Sequence, residues 1–550
     1  MRVRHKRDIW TVVVYILLAL FIVFFIYPCV RLLWEAFYTE ESGFTLEAFT
    51  RFFSKKYYYS TIFNSFKVSA AVMVISLLLG IPFSYFYSFY KIKGRKVLFV
   101  LALLCTMSAP FIGAYSWIML LGRSGVITSF LESIGIEIGS IYGFGGILLV
   151  QSLKLFPLVV IYMNGAFQDI DSSLLEASEN LGCSGWRRFF RVIMGLTAPT
   201  ILAAALIVFM RAFADFGTPA LIGEGYKTFP VLIYDSFLSE VGADYNFASA
   251  VSVLAIVLTA AVFLVQKYAT SRFKFTINSM HPVQRKQPKG VRGVLMHVYC
   301  YLLIAVALLP QLYIILDSFR DYKGQVAQST YSLSNYENAI RKLLGRSVKN
   351  TLVISIITLA VIVVIAVLIA YLVVRRPSPL SHSVDTISML PYIMPGAVIG
   401  ISLIIAFNTK YFSLTGTMTI MVIALAIRRM PYTSRSATAT MMQIPISTEE
   451  AAISLGASKL KTFVRVTIPQ MTSGIVSGAI LSFVSIITEM SSGIFLYNNS
   501  TITLTLSTYN AITLGSYGTA SAFATVTTLL TIVCLVLYLV CTRGSEKMSM

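Results

Sequence analysis

The sequence predicts an all-α membrane protein built from two parallel six-helix transmembrane repeats. Three observations lead to this fold class. Only 12% of the 550 residues are charged and 57% are hydrophobic, whereas about a quarter of the residues in a soluble domain are charged. Apolar stretches of about 20 residues, long enough to cross a bilayer, recur along the chain. A polar segment of the first half returns in the second half at an offset of 274 residues.

The apolar stretches favour a helical bundle over a barrel, because many long runs of this kind let each backbone satisfy itself within one helix. We predict six spans in each half. Those of the first half lie near residues 9–34, 65–90, 97–121, 144–166, 196–222 and 247–268. Those of the second half lie near residues 293–316, 351–374, 386–408, 413–430, 471–495 and 519–541.

The chain starts with the basic segment MRVRHKRDIW. The apolar run from Ile9 to about Trp34 is longer than the hydrophobic region of a signal peptide, and no small-residue cleavage site follows it. We therefore expect a first span with a cytoplasmic N-terminus. A basic segment with prolines, Ser271–Arg292, separates the halves. The predicted domains are a first half (1–275), a cytoplasmic linker (276–292) and a second half (293–550).

The net charge of +20 has a membrane explanation. In a soluble protein it would suggest nucleic acid, but basic residues gather at the cytoplasmic loop ends of membrane proteins. We therefore expect lipid around the chain and no nucleic-acid partner. Both termini, the linker, the loop Lys91–Lys96 and Arg375–Arg376 fall on one predicted side. The presumed outer loop 318–350 departs from the rule, with six basic residues.

Composition also argues against catalysis by this chain. Its six cysteines and four histidines are scattered and form neither a disulfide framework nor a metal motif. There is no phosphate-binding G-x-x-x-x-G-K-[ST] sequence and no Gly-Lys pair. We expect a transport subunit rather than an enzyme, with no directly bound cofactor, and an ATPase, if one is used, on a separate chain.

The repeated polar segment reads EASENLGCS from Glu176 and EAAISLGAS from Glu450. The aligned stretches Ser173–Val192 and Ser447–Val466 share nine of 20 residues. Each is predicted to be a short capped helix: Ser173 with Glu176, and Ser447 with Glu450, have capping-box spacing, and Gly182 and Gly456 suit a left-handed helix end.

Such a helix is too short to span a membrane and too polar to lie in lipid, so it belongs in a cytoplasmic loop. Two loops of no function would not keep the same caps at one offset. We therefore favour a docking element for a cytoplasmic partner, one per half, over a loop that is merely stabilised.

The pattern E-A-x-x-x-L-G-x-S before the penultimate span resembles the EAA loop of ABC-importer permeases. That resemblance implies a coupling helix that inserts into a cleft of a cytoplasmic ABC ATPase dimer, which uses ATP and Mg. The coupling residues it implies are Glu176, Ala177, Gly182 and Arg191 in the first copy and Glu450, Ala451, Gly456 and Arg465 in the second. The first copy departs from the pattern at Ser178 and at Met194–Gly195, where Ile-Pro is expected.

The whole chain resembles the fused twelve-span permeases of the ferric-iron importer group, which have the type I ABC importer (MetI-like) fold. This resemblance rests on the stretches Gly43–Phe53, Ala109–Thr128 and Ala214–Gly223. The resemblance implies ferric-iron import across a bacterial inner membrane with an extracytoplasmic substrate-binding protein. Phosphonate, sugar phosphate, thiamine or polyamine remain alternative substrates, and a six-plus-six secondary transporter remains an alternative class.

Two carboxylates inside apolar spans, Asp215 and Glu489, are also 274 residues apart. Intramembrane carboxylates are usually paired or face a cavity. They are candidates for the translocation path or a gate, and for metal contact, with Tyr115 nearby. Arg211, four residues before Asp215, could instead neutralise it on one helix face. Direct substrate contact and a structural or gating role stay equally open.

Further residues carry weaker predictions. Lys154 and Arg428 precede Pro157 and Pro431 and are predicted to be interface anchors rather than parts of an inner gate. Prolines inside spans are predicted to kink them; they are Pro110, Pro391 and Pro395.

Overall fold

The computed structural model describes residues 9–39, 43–107, 109–137, 139–238, 244–272, 281, 283–409 and 413–542. The predicted cytoplasmic termini, and residues 276–280 and 282 of the predicted linker, lie outside these residues.

The described first half is helical apart from one short hairpin. Its elements in chain order are α1 (Ile9–Phe21), the π-helical turn π1 (Ile22–Ile26), α2 (Tyr27–Phe37), β1 (Tyr38–Thr39), β2 (Gly43–Phe44), α3 (Glu47–Ser54), α4 (Lys56–Phe89), α5 (Arg95–Met107), α6 (Pro110–Leu121), α7 (Val126–Ser133), α8 (Phe144–Gln168), α9 (Ser172–Asn180), α10 (Gly185–Arg188), π2 (Phe189–Ile193), α11 (Met194–Phe213), α12 (Gly217–Ile222), α13 (Phe229–Phe237) and α14 (Tyr245–Arg272).

The second half repeats this order. Its elements are α15 (Gly290–Asp317), β3 (Arg320–Lys323), β4 (Val326–Tyr331), α16 (Ser334–Lys342), α17 (Leu344–Arg375), α18 (Pro379–Ile393), α19 (Gly396–Phe407), α20 (Met418–Gln443), α21 (Ile446–Ser454), α22 (Lys459–Thr462), π3 (Phe463–Thr467), α23 (Ile468–Ile487), α24 (Gly493–Leu496), α25 (Leu504–Thr513) and α26 (Tyr517–Thr542). In each half an antiparallel hairpin and a short helix precede the second long helix, and these hairpins are the described sheets.

The all-α membrane fold is confirmed, with fewer uninterrupted spans than the twelve predicted. Among the described residues, ten helices are long and apolar enough to cross a membrane, or eleven if one bent pair is counted. The predicted span 386–408 is that pair: α18 and α19 meet at 111°, with Pro395 as the residue before α19. The span 97–121 likewise breaks before Pro110, which begins α6. These two prolines stand where a new helix starts rather than kink a continuous one, because proline lacks the N–H that would continue the preceding helix.

The chain forms two compact units that do not follow its two sequence halves. Within the described part of the chain, unit 1 lies in the ranges 9–50, 233–256 and 333–542, and unit 2 lies in the ranges 51–232 and 257–332. In unit 1, α1 and α2 pack against α18 and α19, and in unit 2, α15 packs against α5 and α6. The first long helix of each half therefore belongs to the unit formed mainly by the other half. The boundaries 1–275, 276–292 and 293–550 stay a prediction about the repeat.

Small and hydroxyl side chains let the central helices of each unit approach closely. In unit 2, α4, α8 and α11 pack together, and a Cβ on Gly80 would lie 2.7 Å from the Cβ of Val159. In unit 1, α17, α20 and α23 form the equivalent centre. There the hydroxyls of Thr433 and Ser482 are 2.7 Å apart. Packing of this kind holds helices together where lipid removes the hydrophobic driving force.

The 274-residue offset holds over a long block of the structure. It relates α9 to α21, α10 to α22, π2 to π3 and α11 to α23 at both ends of each element, and it also relates the starts of α8 and α20. The two repeats thus keep the same spacing from the fourth long helix of each half to the break that follows α11 and α23.

Candidate functional site

The two predicted docking helices, α9 in unit 2 and α21 in unit 1, end in the same turn. Gly182 and Gly456 have φ of +76° and +87°. After α9, the N–H of Gly182 donates to Glu179 O at 2.9 Å and that of Cys183 donates to Ser178 O at 2.8 Å. After α21, Gly456 and Ala457 make the corresponding bonds at 2.9 and 3.1 Å. This pair of bonds defines a Schellman motif, so the predicted left-handed glycines are confirmed.

The predicted capping boxes are wrong. Both helices begin two residues earlier than expected, so Ser173 and Ser447 lie inside the first turn. The residue that caps α9 is Asp171, whose carboxylate accepts from the Ser173 N–H at 2.9 Å. Pro445 occupies the equivalent place before α21 and provides no side-chain cap. An aspartate two residues before Ser173 was a visible cap signal.

A short helix and a π turn follow each Schellman motif. Arg191 lies in π2 and Arg465 in π3, and both are exposed. A π turn inserts one extra residue into a helix, and such turns are frequent at functional sites. Sequence periodicity did not predict them, because a single wide turn changes the helical pattern by only one position.

The docking helices present an exposed surface that is partly apolar. The predicted coupling residues Glu176, Ala177 and Gly182, and their equivalents Glu450, Ala451 and Gly456, are all exposed. Beside them Leu181 and Leu455, again 274 residues apart, are 87% and 89% exposed. Trp186 is 77% exposed. Exposed apolar patches of this kind mark interaction sites, and sequence reasoning passed over both leucines.

An ion pair anchors α21 within unit 1. The carboxylate of Glu449 accepts from Arg375 Nε at 2.9 Å, and both side chains are over 90% buried. Arg375 also donates to the Ile444 carbonyl at 2.7 Å. Glu449 points inward at the position that Leu175 occupies, also buried, in α9. The inward face of one docking helix is therefore ionic where that of the other is apolar.

The end of the linker anchors α9 within unit 2. The N–H of Ser172 donates to His281 O at 2.9 Å, and the N–H of His281 donates to Asp171 Oδ2 at 3.3 Å. An exposed ion pair between Arg188 and Glu179, 2.7 Å long, braces the turn after α9. The two docking helices thus share one shape but are held by different contacts.

Glu489 lies in the break that follows α23 and is clamped by two arginines of α20. Its carboxylate pairs with Arg428 and Arg429 and accepts from the Ser492 N–H at 3.2 Å. The Glu489 and Arg428 side chains are 2% and 10% exposed. The prediction that Arg428 is an interface anchor is therefore wrong, because its guanidinium is buried in an ion-pair cluster. A side chain at Gly396 would collide with that guanidinium.

Asp215 occupies the equivalent break after α11 but has neutral hydrogen-bond donors. Its Oδ2 accepts from Gln151 Nε2 at 3.1 Å and from Thr218 Oγ1 at 2.6 Å. Thr218 and Ser492 are also 274 residues apart, so both carboxylates bind a hydroxyl three residues later. Lys154, Arg211 and Tyr115 lie in the same unit, Tyr115 fully buried in α6. Their predicted roles stay predictions.

The predicted metal contact at Asp215 and Glu489 stays a prediction. Among the described residues, no three His, Cys, Asp or Glu side chains lie close enough together to hold a metal ion. Asp215 and Glu489 belong to different units, and each has its own hydrogen-bond partners.

The family described as "Binding-protein-dependent transport system inner membrane component" matches residues 2–275 and 362–543 of this chain. The chain belongs to this family. It is therefore a multi-pass permease subunit of an ABC importer that depends on a binding protein. The alternative class, a six-plus-six secondary transporter, is wrong.

The chain is also similar to individual permeases and to one solved importer. The chain is 28% identical to the ferric transport system permease protein FbpB of Actinobacillus pleuropneumoniae, over 92% of this chain and 74% of that one. It is 30% identical to the spermidine/putrescine transport system permease protein PotB of Haemophilus influenzae, over 46% and 91%. A crystal structure of a bacterial alginate importer aligns with 47% of this chain and 93% of its own at 20% identity, with a TM-score of 0.38.

We predict that the two ion pairs near the docking helices contribute unequally to stability. Glu449→Ala leaves Arg375 buried without its carboxylate, a change that typically costs about 3–5 kcal/mol. The matched control Glu179→Ala removes an exposed partner and should cost about 0–1 kcal/mol. Thermal unfolding of the two purified variants should separate them by several degrees. Equal melting temperatures would show that the Glu449 pair does not hold α21.

We also predict that folding depends on the balance of charge around Glu489. Glu489→Gln removes the carboxylate that pairs with the buried Arg428 and the half-buried Arg429, and should lower the amount of folded protein strongly. Asp215→Asn keeps an acceptor for Gln151 and Thr218 and should leave that amount nearly unchanged. The measurement is the monodisperse yield from gel filtration. Adding Arg429→Gln to Glu489→Gln should restore part of it, and no restoration would contradict the clamp.

Proposed function

We propose that this chain is the translocation subunit of an ATP-driven ferric-iron importer. The support is the share of this chain that each relative aligns with. Two ferric transport permeases, of Actinobacillus pleuropneumoniae and Haemophilus influenzae, align with 92% and 87% of the chain and therefore with both halves. The polyamine permease PotB and the molybdenum permease ModB align with 46% and 38%, about one half each. Polyamine and molybdate are the alternatives these relatives suggest.

The partners proposed are a cytoplasmic ABC ATPase dimer, one subunit on each docking helix, and an extracytoplasmic binding protein that delivers the substrate. Exposed Leu181 and Leu455 suit a cleft, because each projects from a turn fixed by two hydrogen bonds. ATP and Mg act on the partner, and this chain needs no cofactor of its own.

The orientation proposed puts both docking helices in the cytoplasm of a bacterial cell, together with the termini. In unit 2 the basic linker reaches α9 through His281. In unit 1 the basic pair Arg375–Arg376 reaches α21, while Trp10, near the N-terminus, packs against Tyr371 and Phe463. Basic loops beside both docking helices are what the positive-inside rule expects of the cytoplasmic face.

One continuous helical segment joins each docking helix to a carboxylate. Residues Gly185–Phe213 and Lys459–Ile487 form runs of 29 residues, about 43 Å long at 1.5 Å per residue. The docking turn lies at one end, and Asp215 or Glu489 lies just beyond the other. Movement of an ATPase subunit would therefore be passed along a stiff rod to the break that contains the carboxylate.

The two carboxylates are proposed to act differently. Glu489 is neutralised by two arginines and suits a structural or gating role. Asp215 accepts hydrogen bonds from the neutral side chains of Gln151 and Thr218. Ferric iron is a hard cation that prefers oxygen ligands, so Asp215 is the better candidate for passing contact with the substrate.

The first test is radiolabelled ferric-iron uptake in cells with and without the chain, together with its ATPase and binding protein. We expect uptake that requires the chain and stops when ATP is depleted. Asp215→Asn should lower uptake more than membrane abundance. Chain-dependent uptake of a polyamine or molybdate, with no iron entry, would keep the permease and overturn the substrate.

A second test separates docking from folding. An alanine at Gly182 or Gly456 must adopt a left-handed conformation, which costs about 1–2 kcal/mol at each position. The double variant Gly182→Ala/Gly456→Ala should therefore reduce ATP-dependent uptake several-fold at unchanged membrane abundance. Gly195→Ala is the matched control, since Gly195 has ordinary helical backbone and open space around it. Normal uptake by the double variant would contradict the role of the turns.

A further inference from the structure

An open groove of about 880 Å³ runs along the exposed side of α15, where the linker enters that helix. Its floor and walls come mainly from the first four turns of α15, and Lys93 lies at its rim. Three of its lining side chains, Val294, Val298 and Leu302, are 62%, 51% and 60% exposed. All of the lining residues belong to unit 2.

The groove is a built feature with fixed walls. A Cβ on Gly293 would lie 2.9 Å from the backbone of Pro288, so the linker packs against the helix where it has no side chain. The loop from α4 is tied to α15 by two bonds: Tyr301 Oη donates to Lys93 O at 2.6 Å, and the Lys93 N–H donates to His297 Nε2 at 3.3 Å. His297 Nδ1 donates in turn to Gly293 O at 2.7 Å.

The two segments that reach the groove, through Lys93 and Pro288, are strongly basic. These segments, which pair through Lys286, with its N–H donating to Phe89 O at 2.9 Å, contribute eight basic residues and no acidic residue to this end of the unit. They are Lys91, Lys93, Arg95, Lys96, Arg285, Lys286, Lys289 and Arg292.

Like charges lie close together in this cluster. Burial lowers the pKa of Arg285, and the positive charge of Arg95 lowers it further, while Tyr87 opposes both. The guanidinium of Arg95 itself lies over the Tyr87 ring, 4.4 Å from its centroid. An anion bound at the rim would relieve this repulsion.

We propose that the groove binds one anionic phospholipid, with an acyl chain along Val294, Val298 and Leu302 and the phosphate at the basic rim. An apolar trough that opens at a basic helix end complements such a lipid in both of its parts. A zwitterionic lipid would fit the trough but gain far less at the rim. The inference uses the membrane placement of α15 and is independent of the imported substrate.

The test is native mass spectrometry of the full chain, purified in detergent and mixed with phosphatidylglycerol or phosphatidylcholine of the same acyl chains. We expect the chain to retain one phosphatidylglycerol roughly tenfold more than phosphatidylcholine. Lys93→Ser/Lys289→Ser removes charge at the rim and should abolish most of this preference. Val298→Trp fills the trough from an exposed position and should lower retention of both lipids.

Matched controls isolate the site. Lys459→Ser/Lys461→Ser removes the same charge from two exposed positions of α22. Leu264→Trp adds the same bulk at a position of α14 that is 63% exposed. Both should bind phosphatidylglycerol like the unaltered chain. Gel filtration checks the folding of every variant, and either site variant alone can decide the outcome.

Three results would overturn the proposal. One is equal retention of the two lipids by the unaltered chain. Another is unchanged phosphatidylglycerol retention by whichever folded site variants are obtained. The third is displacement of phosphatidylglycerol by millimolar inorganic phosphate combined with normal retention by Val298→Trp, which would show a phosphate site that does not hold a lipid.

Discussion

Backbone groups inside a bilayer have no water to bond with, so each must find a partner in the protein. In this chain that constraint is met by long helices, and the polar chemistry is left to the places where helices end or break. The docking turns follow α9 and α21. The buried carboxylates follow α11 and α23. The positions of the docking turns and of the two carboxylates are therefore set by where a helix stops.

The carboxylates show how a symmetric backbone can carry unlike chemistry. Asp215 and Glu489 occupy equivalent breaks in the two repeats. Each accepts a hydrogen bond from the hydroxyl three residues later, that of Thr218 or Ser492. Their remaining partners differ, with Gln151 in one repeat and two arginines in the other. The same contrast recurs at the docking helices, where buried Glu449 replaces Leu175. The repeat conserves geometry, while charge has diverged between its copies.

The sequence predicted the repeat, the helical fold and the left-handed glycines, because these depend on spacing and on local conformational preference. Gly182 and Gly456 could be recognised from their place after a polar helix. Contacts between distant segments could not be recognised from the sequence. The pairing of Glu449 with Arg375, and of Glu489 with Arg428 and Arg429, depends on how helices pack, and nothing local to Arg428 distinguishes it from an interface anchor. The docking of α1 and α2 in unit 1 is likewise invisible to hydropathy.

The constant offset between the repeats has a mechanical meaning. From the start of α8 to the hydroxyl after Asp215, the spacing matches that of the second repeat, although the flanking helices differ in length. Each residue advances a helix by 100°, so one inserted residue would swing the carboxylate to another side of its rod relative to the docking turn. The number of residues between the docking turn and the carboxylate is therefore fixed by the geometry of the helix. The side chains of this block differ between the two copies, while its length is the same in both.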